Sequence, residues 1–123
     1  MVKRKGSYPV MERENMRGGE GVVKIEELLT TAEIYDNGRL YGKITLEPGA
    51  SIGAHVHEGE MEGFYIICGE AELYDNGEIV RLFPGDTSLN ISGEEHALKN
   101  VGDTTLEVIA LVLNKQNHKG MVL

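Results

Sequence analysis

The sequence predicts an all-β, single-domain protein, an antiparallel sandwich or barrel with little helix, and three observations carry that prediction. Short runs rich in β-branched and aromatic residues recur along the chain. Turn signals built from Gly, Asn, Asp and Pro bound these runs roughly every eight to twelve residues. Apolar residues nowhere keep a helical period long enough for a convincing amphipathic helix. The 16 glycines among 123 residues suit a fold of many tight turns. A chain of this length buries a core without disulfides, and with Cys68 as its single cysteine it has no intramolecular one.

Residues 1–20, ending in ENMRGGEG, are polar and glycine-punctuated and read as an N-terminal arm. The barrel is expected over 21–113. It opens on VVKIEELL, whose apolar positions fit strand and short-helix periods equally poorly, so both stay open. DNGRLYGKITLEPG then runs from the Asp36-Asn37-Gly38 turn to the Pro48-Gly49 turn. Its alternation puts Arg39, Tyr41 and Lys43 on one face and Leu40, Gly42, Ile44 and Leu46 on the other. The apolar face is expected inside the barrel and the polar face in solvent or at a subunit contact; the functional alternative has Arg39, Tyr41 or Lys43 bind an anionic substrate. EGFYIICGEAELY and TLEVIALVLN read as strands, and DNGEIVRLFPG repeats the grammar of the earlier hairpin segment. TLEVIALVLN is apolar on both faces, so its outer face calls for a cover, and a homodimer is the economical one. Residues 114–123, NKQNHKGMVL, read as a C-terminal tail with His118 in solvent.

The formal charge of −8 argues against nonspecific nucleic-acid binding, which needs a basic surface to release counterions. No apolar run approaches the ~18 residues of a membrane span. Lys3, Arg4 and Lys5 are followed by GSYPVMEREN rather than the apolar core of a signal peptide, so a cytoplasmic location is expected.

The chemistry concentrates in GASIGAHVHEGEME, residues 49–62. On a strand His55 and His57 face the same way, their Cα atoms about 6.5 Å apart, and two such imidazoles can bind one ion. HEGEMEG is short enough to return Glu62 beside them in a hairpin, and His96 of SGEEHALKN supplies a third nitrogen from a later strand. Three imidazoles and a carboxylate suit a divalent ion such as Mn, Fe, Co, Ni or Zn better than Ca or Mg. Glu58, Glu94 and Glu95 are expected in solvent. Glu60 is expected on the loop rim, with substitution as a ligand the alternative.

Gly49, His55, His57, Glu62 and Gly69 together resemble the first motif of the cupin superfamily, and Gly85, Ile91, Gly93, His96 and Asn100 resemble the second. The resemblance covers most of residues 36–113. It implies a six- to eight-stranded jelly-roll barrel, with one divalent metal ion held inside by His55, His57, Glu62 and His96, and a dimer to which N-terminal arms contribute. One departure is Ile91, where the second motif usually has a turn-shaping proline. If Glu62 points inward then Phe64, Ile66 and Cys68 do too, giving the site an apolar floor, and His96 inward makes Leu98 inward. Cys68 is expected to be a small buried hydrophobe.

Four protein ligands leave open coordination positions for a small oxygen-bearing ligand, such as an organic acid, an enol or a sugar. The reaction stays open, because cupins include dioxygenases, decarboxylases and noncatalytic binding proteins. Candidates for a proton-transfer group are Tyr41, Lys43 and Glu60. Oxalate decarboxylases of the superfamily carry an arginine where this chain has Ile52, which argues against a close copy of that chemistry. With no concentrated basic set apparent, the pocket is expected to be modest and mostly apolar, the ion its main polar anchor.

Overall fold

The computed structural model describes residues 1–115, which form ten strands in two antiparallel sheets. The larger sheet contains β1 (Val10–Glu14), β2 (Val22–Leu29), β3 (Gly38–Leu46), β5 (Glu60–Cys68), β8 (Thr87–Asn90) and β10 (Leu106–Asn114), in the order β1-β2-β3-β10-β5-β8. The smaller contains β4 (Ser51–Val56), β6 (Ala71–Asp75), β7 (Glu78–Leu82) and β9 (Glu95–Asn100), in the order β4-β9-β6-β7. A 3-10 turn at Met16–Gly18 is the one helical element among the described residues, and no helix there is long and apolar enough to cross a membrane.

The two sheets close on a core that alternation builds. On β10, Leu106, Val108, Ala110 and Val112 are buried while the residues between them are half-exposed. Leu46 and Ile44 of β3 lie opposite Leu106 and Val108, and Ile66 of β5 meets Val108 from the other side. The same pairing resolves VVKIEELL, which is β2: Val23 and Ile25 pair with Leu46 and Ile44 and are buried. Tertiary pairing thus settles what local periodicity leaves ambiguous.

Ten strands exceed the six to eight expected. One of the additional strands, β1, lies in the segment read as an arm and pairs along its whole length with β2. All five of its residues are exposed, so the segment has no hydrophobic period to betray it. At the other end β10 reaches Asn114, while residues 116–123, including His118, lie outside the described residues.

Candidate metal centre

Two strands of the small sheet and one of the large sheet bring the four predicted ligands together. His55 on β4 and His96 on β9 are directly opposite in the antiparallel register. His57 follows β4 by one residue, and Glu62 enters from β5 across the barrel. Ile52 and His55 both face inward although three residues apart, which a regular strand forbids. The register slips between them, at Gly53-Ala54, and this bulge turns His55 into the barrel. Gly53 is required there by more than the bulge: a Cβ on it would lie 2.1 Å from the carbonyl oxygen of Arg17.

His57, Glu62 and His96 are buried and His55 nearly so. The Nε2 atom of His57 is 3.1 Å from that of His55 and 3.2 Å from that of His96, and the latter two are 3.2 Å apart. Glu62 Oε1 sits 2.9 Å from the Nε2 atoms of His57 and His96 and 3.9 Å from that of His55. Phe64, next inward on β5, stacks on the His96 ring at 5.3 Å between centroids. Ile66 and Leu98 are buried beneath, as strand parity requires, whereas Cys68 is only half-buried, its thiol 3.9 Å from the Thr105 carbonyl.

The other ring nitrogens fix the tautomers. His55 Nδ1 donates to the Gly53 carbonyl at 2.7 Å. His57 Nδ1 donates to Glu60 Oε1 at 2.6 Å, and His96 Nδ1 to Asn90 Oδ1 at 2.9 Å. Asn90 in turn donates from Nδ2 to Asp75 Oδ1 at 2.8 Å, which sets the direction of its amide. With each Nδ1 carrying its proton toward an acceptor, the three Nε2 lone pairs converge beside a carboxylate. Such lone pairs repel one another and attract a cation. Donors about 2.1 Å from a shared transition-metal ion lie roughly 3.0–3.4 Å from each other, the spacing these nitrogens have. The four residues form one group whose ligand atoms all lie within 4.8 Å.

Electrostatics agree. Burial pushes the Glu62 carboxyl up, but hydrogen bonds from His55, His57 and His96, which need a proton on an Nε2 atom wherever no cation takes its place, more than offset it and hold the group well below the usual carboxylate range. Glu62 draws His57 upward against burial, with Glu60 adding to the effect. The place favours positive charge.

Glu60 is therefore neither on a solvated rim nor aimed at the ligand atoms. It begins β5, accepts a hydrogen bond from His57 Nδ1–H, and is gripped by Arg39, whose Nη2 and Nε donate to its two oxygens at 2.7 and 3.2 Å. Arg39 holds Glu60 below its ordinary range, against burial and with help from His57. Tyr41 and Lys43 are not brought to the site. Lys43 lies on the outer face of β3 between Glu26 and Glu107, at 3.3 and 3.4 Å, and Tyr41 sits on the same face beside Leu29 and Leu111. Arg39, at the end of the strand, is the member of that face which reaches the centre.

Ile91 keeps the turn before β9 in its own way: its N–H donates to the Glu94 carboxylate at 2.9 Å, a bond proline lacks. Glu94 and Glu95 are accordingly half-buried rather than in solvent, while Glu58 is exposed as expected. Gly93, at φ +89°, then donates its N–H to the His57 carbonyl and joins the two ligand-bearing turns.

A cavity of about 300 Å³ opens from His55, His57 and Glu62 toward β1 and the Met16–Gly18 turn. Apolar side chains from Met11, Ile25, Leu40 and Ile52 line it, as expected, but so do Arg13, Arg17 and Arg39. Sequence reasoning missed this basic set because Arg13 and Arg17 lie in the segment read as an arm, while Arg39 comes from β3.

A cupin-domain family model matches residues 42–112. The oxalate-binding protein of Thermotoga maritima is 40% identical over 113 residues, which make up 92% of this chain and 93% of that protein. A crystal structure from Thermotoga maritima, described as a predicted oxalate decarboxylase, superposes with a TM-score of 0.89 at 39% identity, covering 93% of this chain and 99% of the other. The tetracenomycin polyketide synthase protein TcmJ of Streptomyces glaucescens is 30% identical over 82 residues, 67% of this chain and 55% of that protein. With its two-sheet jelly roll and its inward His/Glu cluster on the matched strands, the chain belongs to the cupin family.

Proposed function

We propose that the protein holds one divalent transition-metal ion through His55, His57, Glu62 and His96 and uses it to bind a small organic acid of the oxalate kind. The observation that carries this reading is the set of three Nδ1–H donors, each tied to its own acceptor, which leaves three Nε2 lone pairs and an anionic carboxylate facing one point. A divalent ion with one carboxylate among its ligands keeps a net positive charge, so an anionic chelator suits it. The ion would supply Lewis-acid or redox chemistry at its free coordination positions. The name of the Thermotoga maritima oxalate-binding protein supports the choice of ligand class.

Binding is favoured over turnover by the interior itself. Of the three proton-transfer candidates, Tyr41 and Lys43 lie on the outer face and Glu60 is held by Arg39 and His57. Ile52, buried in the cavity wall, occupies the place of the decarboxylase arginine. The alternative, a dioxygenase or decarboxylase-like enzyme, predicts oxygen uptake or carbon dioxide release from oxalate by the metal-loaded protein.

The test is elemental analysis of tag-free protein beside His55→Ala and His96→Ala. Close to one ion per chain is expected in the parent and near none in the variants; equal metal in all three defeats the proposal. Manganese or iron, rather than zinc, cobalt or nickel, would raise the interest of the turnover assay.

A homodimer is part of the same reading. The outer face of the large sheet carries an apolar stripe in which Ile109 lies beside Tyr65, Leu111 beside Tyr41, and Leu113 beside Met61. Tyr65, Ile67 and Leu89 on that sheet are exposed, and a second copy is the partner proposed to cover them. Light scattering should give the mass of two chains, and Leu111→Asp the mass of one.

A further inference from the structure

We infer that Arg13 and Arg17 form an anion-binding wall opposite the metal centre, which selects chelating acids carrying a second, distal carboxylate. This rests on the organic-acid reading above and extends it to a class of ligand longer than oxalate.

Strand parity places Arg13 there. Across β1 and β2, Arg13 is opposite Val23 and Met11 opposite Ile25, and Val23 and Ile25 are buried, so Met11 and Arg13 share the inward face of an otherwise exposed edge strand. Arg17 is placed by a backbone crossing. Its own φ is +56°, its carbonyl packs against Gly53, and Gly19 in the same turn packs against the Ser51 carbonyl, where a Cβ would come within 2.2 Å. The turn that carries Arg17 is thereby seated on the strand that carries His55. Both arginines line the cavity that also contains His55, His57 and Glu62.

Their charges are available, unlike that of Arg39. Arg39 is committed to Glu60. Arg13 meets only the Met11 sulfur at 3.1 Å, and Arg17 makes no side-chain hydrogen bond or ion pair with any described residue. Glu27, inward on β2 in the same lining, offsets one of the two positive charges and leaves the wall net positive.

The size of the cavity points the same way. Oxalate has six heavy atoms, whereas about 300 Å³ is at the scale of pockets that hold larger ligands. The apolar stretch between the two ends, with Ile25, Leu40 and Ile52, suits a short hydrocarbon body. A 2-oxo dicarboxylate fits this layout: its 2-oxo acid head chelates the ion, its methylenes cross the apolar stretch, and its far carboxylate meets the arginines in charge-assisted hydrogen bonds.

The experiment is calorimetric titration of manganese-loaded protein with oxalate, 2-oxoglutarate and 2-oxopentanoate, the last with a methyl group in place of the distal carboxylate. 2-Oxoglutarate is expected to bind about tenfold more tightly than 2-oxopentanoate. In the double variant Arg13→Ala/Arg17→Ala, with manganese content checked, the ratio should fall to within about twofold. Equal affinity of the parent for the two keto acids overturns the wall, and so does a ratio that survives the double substitution. In either case, retained oxalate binding leaves the metal-centre reading standing. If no acid binds to protein shown to carry manganese, both readings fall together.

Discussion

At the candidate metal centre His57, Glu62, His96 and Asn90 are buried, His55 nearly so, and every ring nitrogen has a partner, whereas across the same cavity Arg13 and Arg17 are exposed and stand apart from any carboxylate pair. The centre is built by strands facing each other across the barrel, β4 and β9 on one side and β5 on the other. The wall opposite is an edge strand and a turn. A buried arrangement with fixed tautomers is ready to bind before the ion arrives, and little reorganisation has to be offset by binding. Exposed arginines on an edge are free to adjust, so they suit discrimination among ligands more than gross affinity. Stability and metal affinity should therefore reside at one end of the cavity and selectivity at the other.

The largest separation between the two ends is expected on removing the metal. A ligand at a thousand times its Kd stabilises by about 4 kcal/mol, on the order of 10 °C or more for a domain of this size. Chelation should lower Tm by that much in the parent, while Arg13→Ala/Arg17→Ala should show nearly the same drop. An unchanged melting curve after chelation, with loss of the ion verified, would remove the centre from any structural role.

Gly53→Ala should damage both ends at once. Its Cβ would fall 2.1 Å from the Arg17 carbonyl, and the alternative to a clash is to lift the turn off β4 or to flatten the bulge that aims His55. Overpacking against backbone costs about 2–4 kcal/mol, so the melting temperature should fall by several degrees and metal affinity should weaken with it. A variant that melts within a degree of the parent would mean that the crossing is slack.

These expectations also mark how far the sequence could be read. The four-residue cluster was legible because His55, His57 and Glu62 lie within one hairpin, and strand parity with two motif spacings brings in His96. The apolar floor followed from the same parity on β5. The bulge at Gly53-Ala54 was hidden, since it depends on the register against β9 rather than on local composition. A trace of it existed: Ile52 and His55 cannot both face inward on a regular strand. The supporting groups Asn90, Asp75 and Arg39 come from other strands, with no local signal linking them to a histidine. Strand β1 was illegible for a different reason, because an exposed edge strand carries no hydrophobic period, and so the basic wall built on it was invisible too.

Smaller effects should grade the centre from within. Asn90→Ala removes the acceptor that fixes the fully buried His96 and leaves its Nδ1–H unpaired, so metal affinity should drop about 10–100-fold. Glu60→Gln keeps an oxygen acceptor for His57 and loses chiefly the Arg39 pair, which is half-exposed, so its loss should sit at or below about tenfold. Competition titrations with a metallochromic chelator give both numbers. The reverse order would show that charge near His57 matters more than burial around His96.

The smallest effect lies away from the four-residue cluster, where the chain that leads into β1 is tied down. Thr30 N–H donates to Glu33 Oε1 at 2.8 Å, Glu33 N–H donates to Thr30 Oγ1 at 3.2 Å, and the Lys3 ammonium donates to the same carboxylate. Lys3 first, and the Thr30 N–H after it, hold the Glu33 carboxyl down at about 2 from its ordinary 4.5. A carboxyl whose pKa is lowered by folding contributes its stabilisation in full above about 4.5; the contribution fades as pH falls and is gone near pH 2. Melting curves of the parent and Glu33→Gln should therefore differ slightly at neutral pH and converge toward pH 2, with metal content at neutral pH the same in both. A gap that stays constant with pH would assign the effect to the turn's shape rather than to the carboxylate's charge. It would also leave the N-terminal segment held by β1 pairing alone, with no ionic tie to brace the wall that carries Arg13.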